Sequence, residues 1–152
     1  RRLKNNWVTY NGERKPPNTT KTKMSHFSTI KTKIKHKPEL QEALELLQYN
    51  VLEDQELRVT GSHGIKHETV LADLAITKDI GFRMNPMTGD YELVCDMETW
   101  DQPIPTQRFI DKVTQQYARV TVHNTVKKMG YTVEEEWEMD DNSIELTVTR
   151  WD

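Results

Sequence analysis

His63-Gly-Ile-Lys-His67 sets two imidazoles four residues apart, a spacing that puts two metal ligands on one face when the segment is helical. Gly61 and Gly64 make this stretch a turn instead, and neither cysteines nor an acidic triad accompany it. A metal site needs three or four converging ligands, so no metal ion or other cofactor is expected. Asp96, Glu98 and Asp101 bracket Trp100. Paired carboxylates do acid–base work only where one is held protonated near neutral pH. Here they read as solvated groups or as caps of the turn into the connector Asp101–Pro105, with Trp100 as an apolar clasp over the next helix. Cys95 is the only cysteine and shares a strand face with Tyr91, Leu93 and Met97, which describes a buried, inert thiol. His26, His36 and His123 have no nucleophile partner in view. There is no Gly-rich phosphate loop, nucleophile elbow or cysteine cluster. The expectation is a protein that is not an enzyme, with an enzyme of unknown type as a remaining alternative.

Positioning these residues requires a fold, and the hydrophobic pattern supplies one. Phe27–Ile34 alternates as a strand, and Pro38 suits the first turn of a helix carrying Leu40, Ala43, Leu44 and Leu47. Val51–Val59 and Thr69–Thr77 read as strands. Ile80–Met84 and Tyr91–Met97 flank the loop Asn85–Asp90 as a hairpin. A long helix follows from Thr106, expected as its cap, to about Met129, with Gly130 as terminator. Gln115, Gln116 and Arg119 form its polar shoulder and Tyr117 its edge. Tyr131–Met139 and Ile144–Trp151 close the chain as a second hairpin. Alternation along 133–139 predicts Glu134, Glu136 and Glu138 on one side as a solvated face.

Leu47-Gln-Tyr49-Asn-Val51-Leu-Glu53 matches Met129-Gly-Tyr131-Thr-Val133-Glu-Glu135 at a constant offset of 82. The pattern therefore predicts an α+β protein built from two weakly repeated helix–strand–strand halves. These would form one antiparallel sheet of about seven strands with two helices packed on one face, the other face meeting water or a partner.

Charge divides the chain. Residues 1–37 hold eleven Lys/Arg against the single carboxylate of Glu13, and residues 38–152 hold ten against 23 Asp/Glu, so the net −3 hides two opposite halves. With Leu3, Trp7, Val8 and Tyr10 as its only apolar side chains, segment 1–23 is expected to be a basic, disordered extension of a single domain spanning 24–152. Arg1, Arg2, Lys4, Arg14, Lys15, Lys21 and Lys23, with Trp7 for stacking, make that arm a candidate nucleic-acid tether. The acidic body would repel a phosphate backbone. No secretory or membrane-spanning run is visible, so no membrane insertion is expected.

From Met24-Ser-His-Phe-Ser-Thr-Ile onward the chain resembles an uncharacterised conserved reading-frame family of cyanobacteria and of red-algal and related plastid genomes, also carried by cyanobacterial phages. The likeness continues through Asp79-Ile-Gly-Phe82, Tyr91-Glu-Leu-Val-Cys-Asp96, Trp100, Thr114-Gln-Gln-Tyr-Ala118, Gly130-Tyr131 and Val148-Thr-Arg-Trp151. It implies a small cytosolic or stromal protein of photosynthetic lineages or their phages, with no agreed catalytic residues. A non-catalytic binding or assembly role, in photosystem biogenesis, follows as the expectation. Because the likeness spans both stretches, Asp96, Trp100, Gln115, Gln116, Tyr117 and Arg119 form a candidate partner or ligand groove. A protein partner is expected, and homodimerisation through an edge strand at 27–34 or 144–151 is an option.

Overall fold

The computed structural model describes residues 8–10, 13–15, 26–60, 67–140 and 143–150. Val8–Tyr10 (β1) and Glu13–Lys15 (β2) pair as a small antiparallel hairpin. The main sheet holds Ser28–Lys31 (β3), Leu52–Thr60 (β4), His67–Ala75 (β5), Ile80–Met84 (β6) and Tyr91–Cys95 (β7). Its order is β3-β7-β6-β5-β4, and every pairing is antiparallel. Helix α1 spans Lys37–Leu46 and α2 spans Thr106–Lys128; Tyr131–Glu138 (β8) and Ile144–Arg150 (β9) follow.

Register explains the core. Ile30, Leu93, Phe82 and Leu74 stand opposite one another across four strands. That apolar row is covered by Leu40 and Leu44 of α1 and by Phe109, Ile110 and Val113 of α2. Pro38 lies in the first turn of α1, where its missing N–H costs nothing, and the Leu40 amide donates to the His36 carbonyl at 3.1 Å. The Phe109 ring meets Tyr49 and Trp100 edge-on at 5.5 and 5.4 Å and stacks on Phe82 at 6.3 Å. One side chain thus joins the helix, the connector, the α1–β4 corner and the sheet.

Both helices lie on one face of the sheet, as the pattern predicts, but the strands do not form one sheet. β8 and β9 make a separate two-stranded sheet. The reason lies in β8. An irregularity between Val133 and Glu135 inserts Glu134, so Val133 faces Val148 and Glu136 faces Leu146. A bulge of this kind reverses the alternation beyond it. Glu136 therefore turns inward and Trp137 outward, against the strict alternation expected along 133–139. The inner side of the β8–β9 pair carries Glu136 among Val133, Leu146 and Ile144, and Glu136 meets Arg119 and His123 of α2.

Other expectations change as well. The second face of the main sheet is not left open: Leu57, Ala72, Ala75 and Val94 bury themselves there, with Phe27 and Val70 against them. Gly81 permits it, because a Cβ at this position would lie 2.7 Å from the Leu74 carbonyl oxygen and 3.0 Å from Ala72 Cβ. Thr106 is the first residue of α2 and makes no capping bond; Pro105 precedes it, and the Thr106 hydroxyl lies 3.6 Å from Met97 Sδ. β3 covers four residues of the expected eight.

The 82-residue offset reappears in the backbone. Leu47 and Met129 are the C-caps of the two helices, followed by Gln48 at φ 74° and Gly130 at φ 88°. Each helix ends in a left-handed residue, and each is followed by a tyrosine and then a pair of antiparallel strands.

Candidate functional site

The six residues of the expected groove are distributed along the molecule rather than gathered. Asp96 is 2% exposed; one carboxylate oxygen accepts the Glu98 amide at 2.9 Å, and the other is buried without a hydrogen-bond partner. It is a turn-capping carboxylate, buried rather than solvated. The Trp100 indole donates to the Ile104 carbonyl at 2.8 Å and lies on Phe109, a clasp over the helix. The Tyr117 phenolic oxygen accepts the amides of Lys35 and His36 at 3.2 and 3.1 Å, tying α2 to the entry of α1. Gln116 and Arg119 line one cleft beside α1, and Gln115 lines another beside Glu138. Of the arm, Arg1, Arg2, Lys4, Trp7, Lys21 and Lys23 lie outside the described residues, and Arg14 and Lys15 belong to β2. Of the histidine pair, His63 lies outside them and His67 opens β5. Among the described residues no group of three or more His, Cys, Asp or Glu side chains stands where it would hold a metal ion.

Buried ionisable groups near β6 and β7 are engaged in structure. Asp79 accepts the hydroxyls of Thr77 and Thr99, each at 2.9 Å, at the edge of a 370 Å³ cleft that Arg58 and Asp101 also line. Burial, with the neighbouring Asp96 and Asp79, pushes the Cys95 thiol up to about 11. At physiological pH it is a protonated, weak nucleophile.

What the structure does bring together is a seam of opposite charges between α2 and β8. Arg119 Nε donates to Glu136 Oε1 at 2.8 Å and a terminal guanidinium nitrogen approaches Oε2 at 2.5 Å. His123 Nε2 donates to Oε1 at 2.9 Å. Burial would raise the Glu136 carboxyl; the bonds from His123 and Arg119 outweigh it and hold the group below the ordinary carboxylate range. Toward the helix start, Glu138 shares a cleft with Arg108, Lys112 and Gln115. Toward its end, Lys127 and His123 line a 430 Å³ cleft with Glu134, Glu135, Tyr131 and Val133. A further 290 Å³ cleft opens on the α1 side of His123 and Lys127, floored by Leu46 and Val120.

Sequence reading found Arg119 in this arrangement but not its partners. The signal was present: Arg108, Lys112, Arg119, His123 and Lys127 step along the helix by four and seven residues, hence on one stripe. An acidic strand follows immediately. The inserted Glu134 hid the match by changing which carboxylates face inward.

The molecule is thus an α+β scaffold whose last two strands are strapped by charge to the flank of its long helix. Residues 43–147 match the family described as "Protein of unknown function (DUF1257)". The chain is 32% identical over 133 residues to "Uncharacterized protein ycf35" of Guillardia theta, an alignment covering 84% of this chain and 98% of that protein. Proteins of the same description from Pyropia yezoensis and Cyanophora paradoxa are 32% identical over 132 and 133 residues, with the same coverage. The chain belongs to this family, whose members include plastid-genome proteins. No solved structure matches it.

Proposed function

We propose that this chain is a non-catalytic binding and assembly factor that presents its β8–β9 sheet to a protein partner. In this reading it works in the plastid stroma or the cyanobacterial cytosol, in biogenesis of the photosynthetic apparatus. One observation carries it: the β8–β9 sheet stands apart from the main sheet, with an outer face that no other described element covers. On that face Trp137 is 47% exposed beside Glu135 and Glu145. A half-exposed tryptophan ringed by carboxylates suits a partner with a basic rim and an apolar socket. The bonding of both Asp79 carboxylate oxygens to threonine hydroxyls and the raised pKa of the buried Cys95 thiol support the non-catalytic side of the reading. So does the relatives' origin for the setting, together with the fact that no helix among the described residues is long and apolar enough to cross a membrane.

The test is affinity capture of the full chain from the cells that make it, beside the full-chain variants Trp137→Ala and Glu135→Lys. A partner held by the native chain should be lost from both variants. Recovery of the native chain as a bare monomer, or equal capture by the variants, would defeat the reading.

A further inference from the structure

The inner side of the same sheet carries a second message. β8 rests on α2, and its only other substantial neighbour among the described elements is β9. The charged part of the contact centres on Glu136, held between Arg119 and His123, with Glu138 lining a cleft with Arg108 and Lys112, and Glu134 lining one with Lys127; half-buried Val133, Ile144 and Leu146 share that side of the sheet. The apolar side of α2 is spent on the main sheet. The cations remain accessible, with the Arg119 side chain 45% and the His123 side chain 29% exposed. A two-stranded sheet has little stability of its own, and a seam of partly exposed ion pairs is screened by salt. Gly130, at φ 88°, supplies a left-handed pivot immediately before β8.

We propose that the cationic stripe of α2 is an interaction surface for an acidic, extended segment of a partner protein, and that β8 occupies it as an intramolecular stand-in. The seat is defined by what fills it. A carboxylate, on an extended strand, lies between a guanidinium and an imidazole, with further cations spaced along the helix to meet further carboxylates. A nucleic-acid phosphate backbone fits less well, because the group seated between Arg119 and His123 is a planar side-chain carboxylate carried on an extended polypeptide. Binding then requires the hairpin to yield, so apparent affinity scales with the fraction of molecules in which the seat is free.

The inference rests on the hairpin being a binding element, yet it can fail independently of it. Full-length protein is titrated with a fluorescein-labelled oligoglutamate peptide, followed by anisotropy, and in parallel with a single-stranded oligonucleotide of matched charge. Glu136→Gln weakens the stand-in and should tighten oligoglutamate binding by about five- to tenfold. Glu138→Gln, at an exposed position, should act in the same direction and serves if the first variant folds poorly. Adding Arg119→Gln to Glu136→Gln should abolish the gain. Amide resonances of β6 and β7 should stay in place throughout. No gain in either single variant, a gain that survives Arg119→Gln, or stronger binding of the oligonucleotide would overturn the proposal. If Trp137→Ala still releases the captured partner in that event, only the present inference falls.

Discussion

Gln48 and Gly130 do the same job with different residues. Both sit just past a helix C-cap at positive φ, 74° and 88°, a conformation that crowds the Cβ of any L-residue but glycine. Gln48→Gly should therefore stabilise the protein by about 0.5–1 kcal/mol, seen as a rise of about 2–4 °C in Tm by calorimetry. Cys95 gives a second outcome. Its thiol is buried and shifted to about 11, so a small alkylating reagent at pH 8 should leave the native protein unmodified and label it once denatured. Glu136 gives a third. Its pKa is lowered on folding, so the stability it confers is present above the unfolded carboxylate value, about 4.3. That contribution is lost as pH falls through the lower folded value. Acidification should release β8 from α2, read as lower amide protection in 131–138 after correction for the intrinsic exchange rate, and Glu136→Gln should remove this change.

Among elements, β6 and β7 are the rigid centre. β7 is buried at all five positions because Leu93 points to the helices and Val94 to the second cluster. Gly81 sits opposite Val94 and Ala75 under that cluster. Gly81→Ala places a methyl against a backbone carbonyl that cannot move aside, and denaturant unfolding should show a loss of about 1–3 kcal/mol. Much of this layer was legible in the residues: the alternation of 80–84 and 91–97, the helical stripe through Phe109, Ile110 and Val113, and the Pro38 and Gly130 signals all locate their elements within a residue or two. What the pattern did not carry was long-range pairing. Nothing local says that β4 and β5 bury Leu57 and Ala72 on the far face. A one-residue insertion at Glu134 leaves strand propensity unchanged while exchanging the two sides of β8. The seam on α2 was missed for the same physical reason, since charge complementarity across a register shift has no periodic signature.

At the level of the molecule, stability should be uneven. The main sheet and both helices share one apolar cluster to which β8 and β9 contribute no residue; these strands meet the body through α2, with Glu136 ion-paired to Arg119 and His123. Local opening is least costly where few apolar contacts are lost. In about 1 M salt, where exposed charges more than about 3 Å apart are screened, residues 131–150 should exchange their amides faster while residues 91–95 hold their protection. Equal acceleration or equal protection of both regions would contradict this hierarchy.

The packing of Trp100 against Phe109 has an optical corollary. The half-buried Trp100 indole, packed on Phe109 and bonded to the Ile104 carbonyl, should emit to the blue of the more exposed Trp137. With Trp7 and Trp151 replaced by phenylalanine, the two ends of the emission band become separate gauges in a single cuvette. The short-wavelength edge follows melting of the body, and the long-wavelength edge follows whatever settles on the strap.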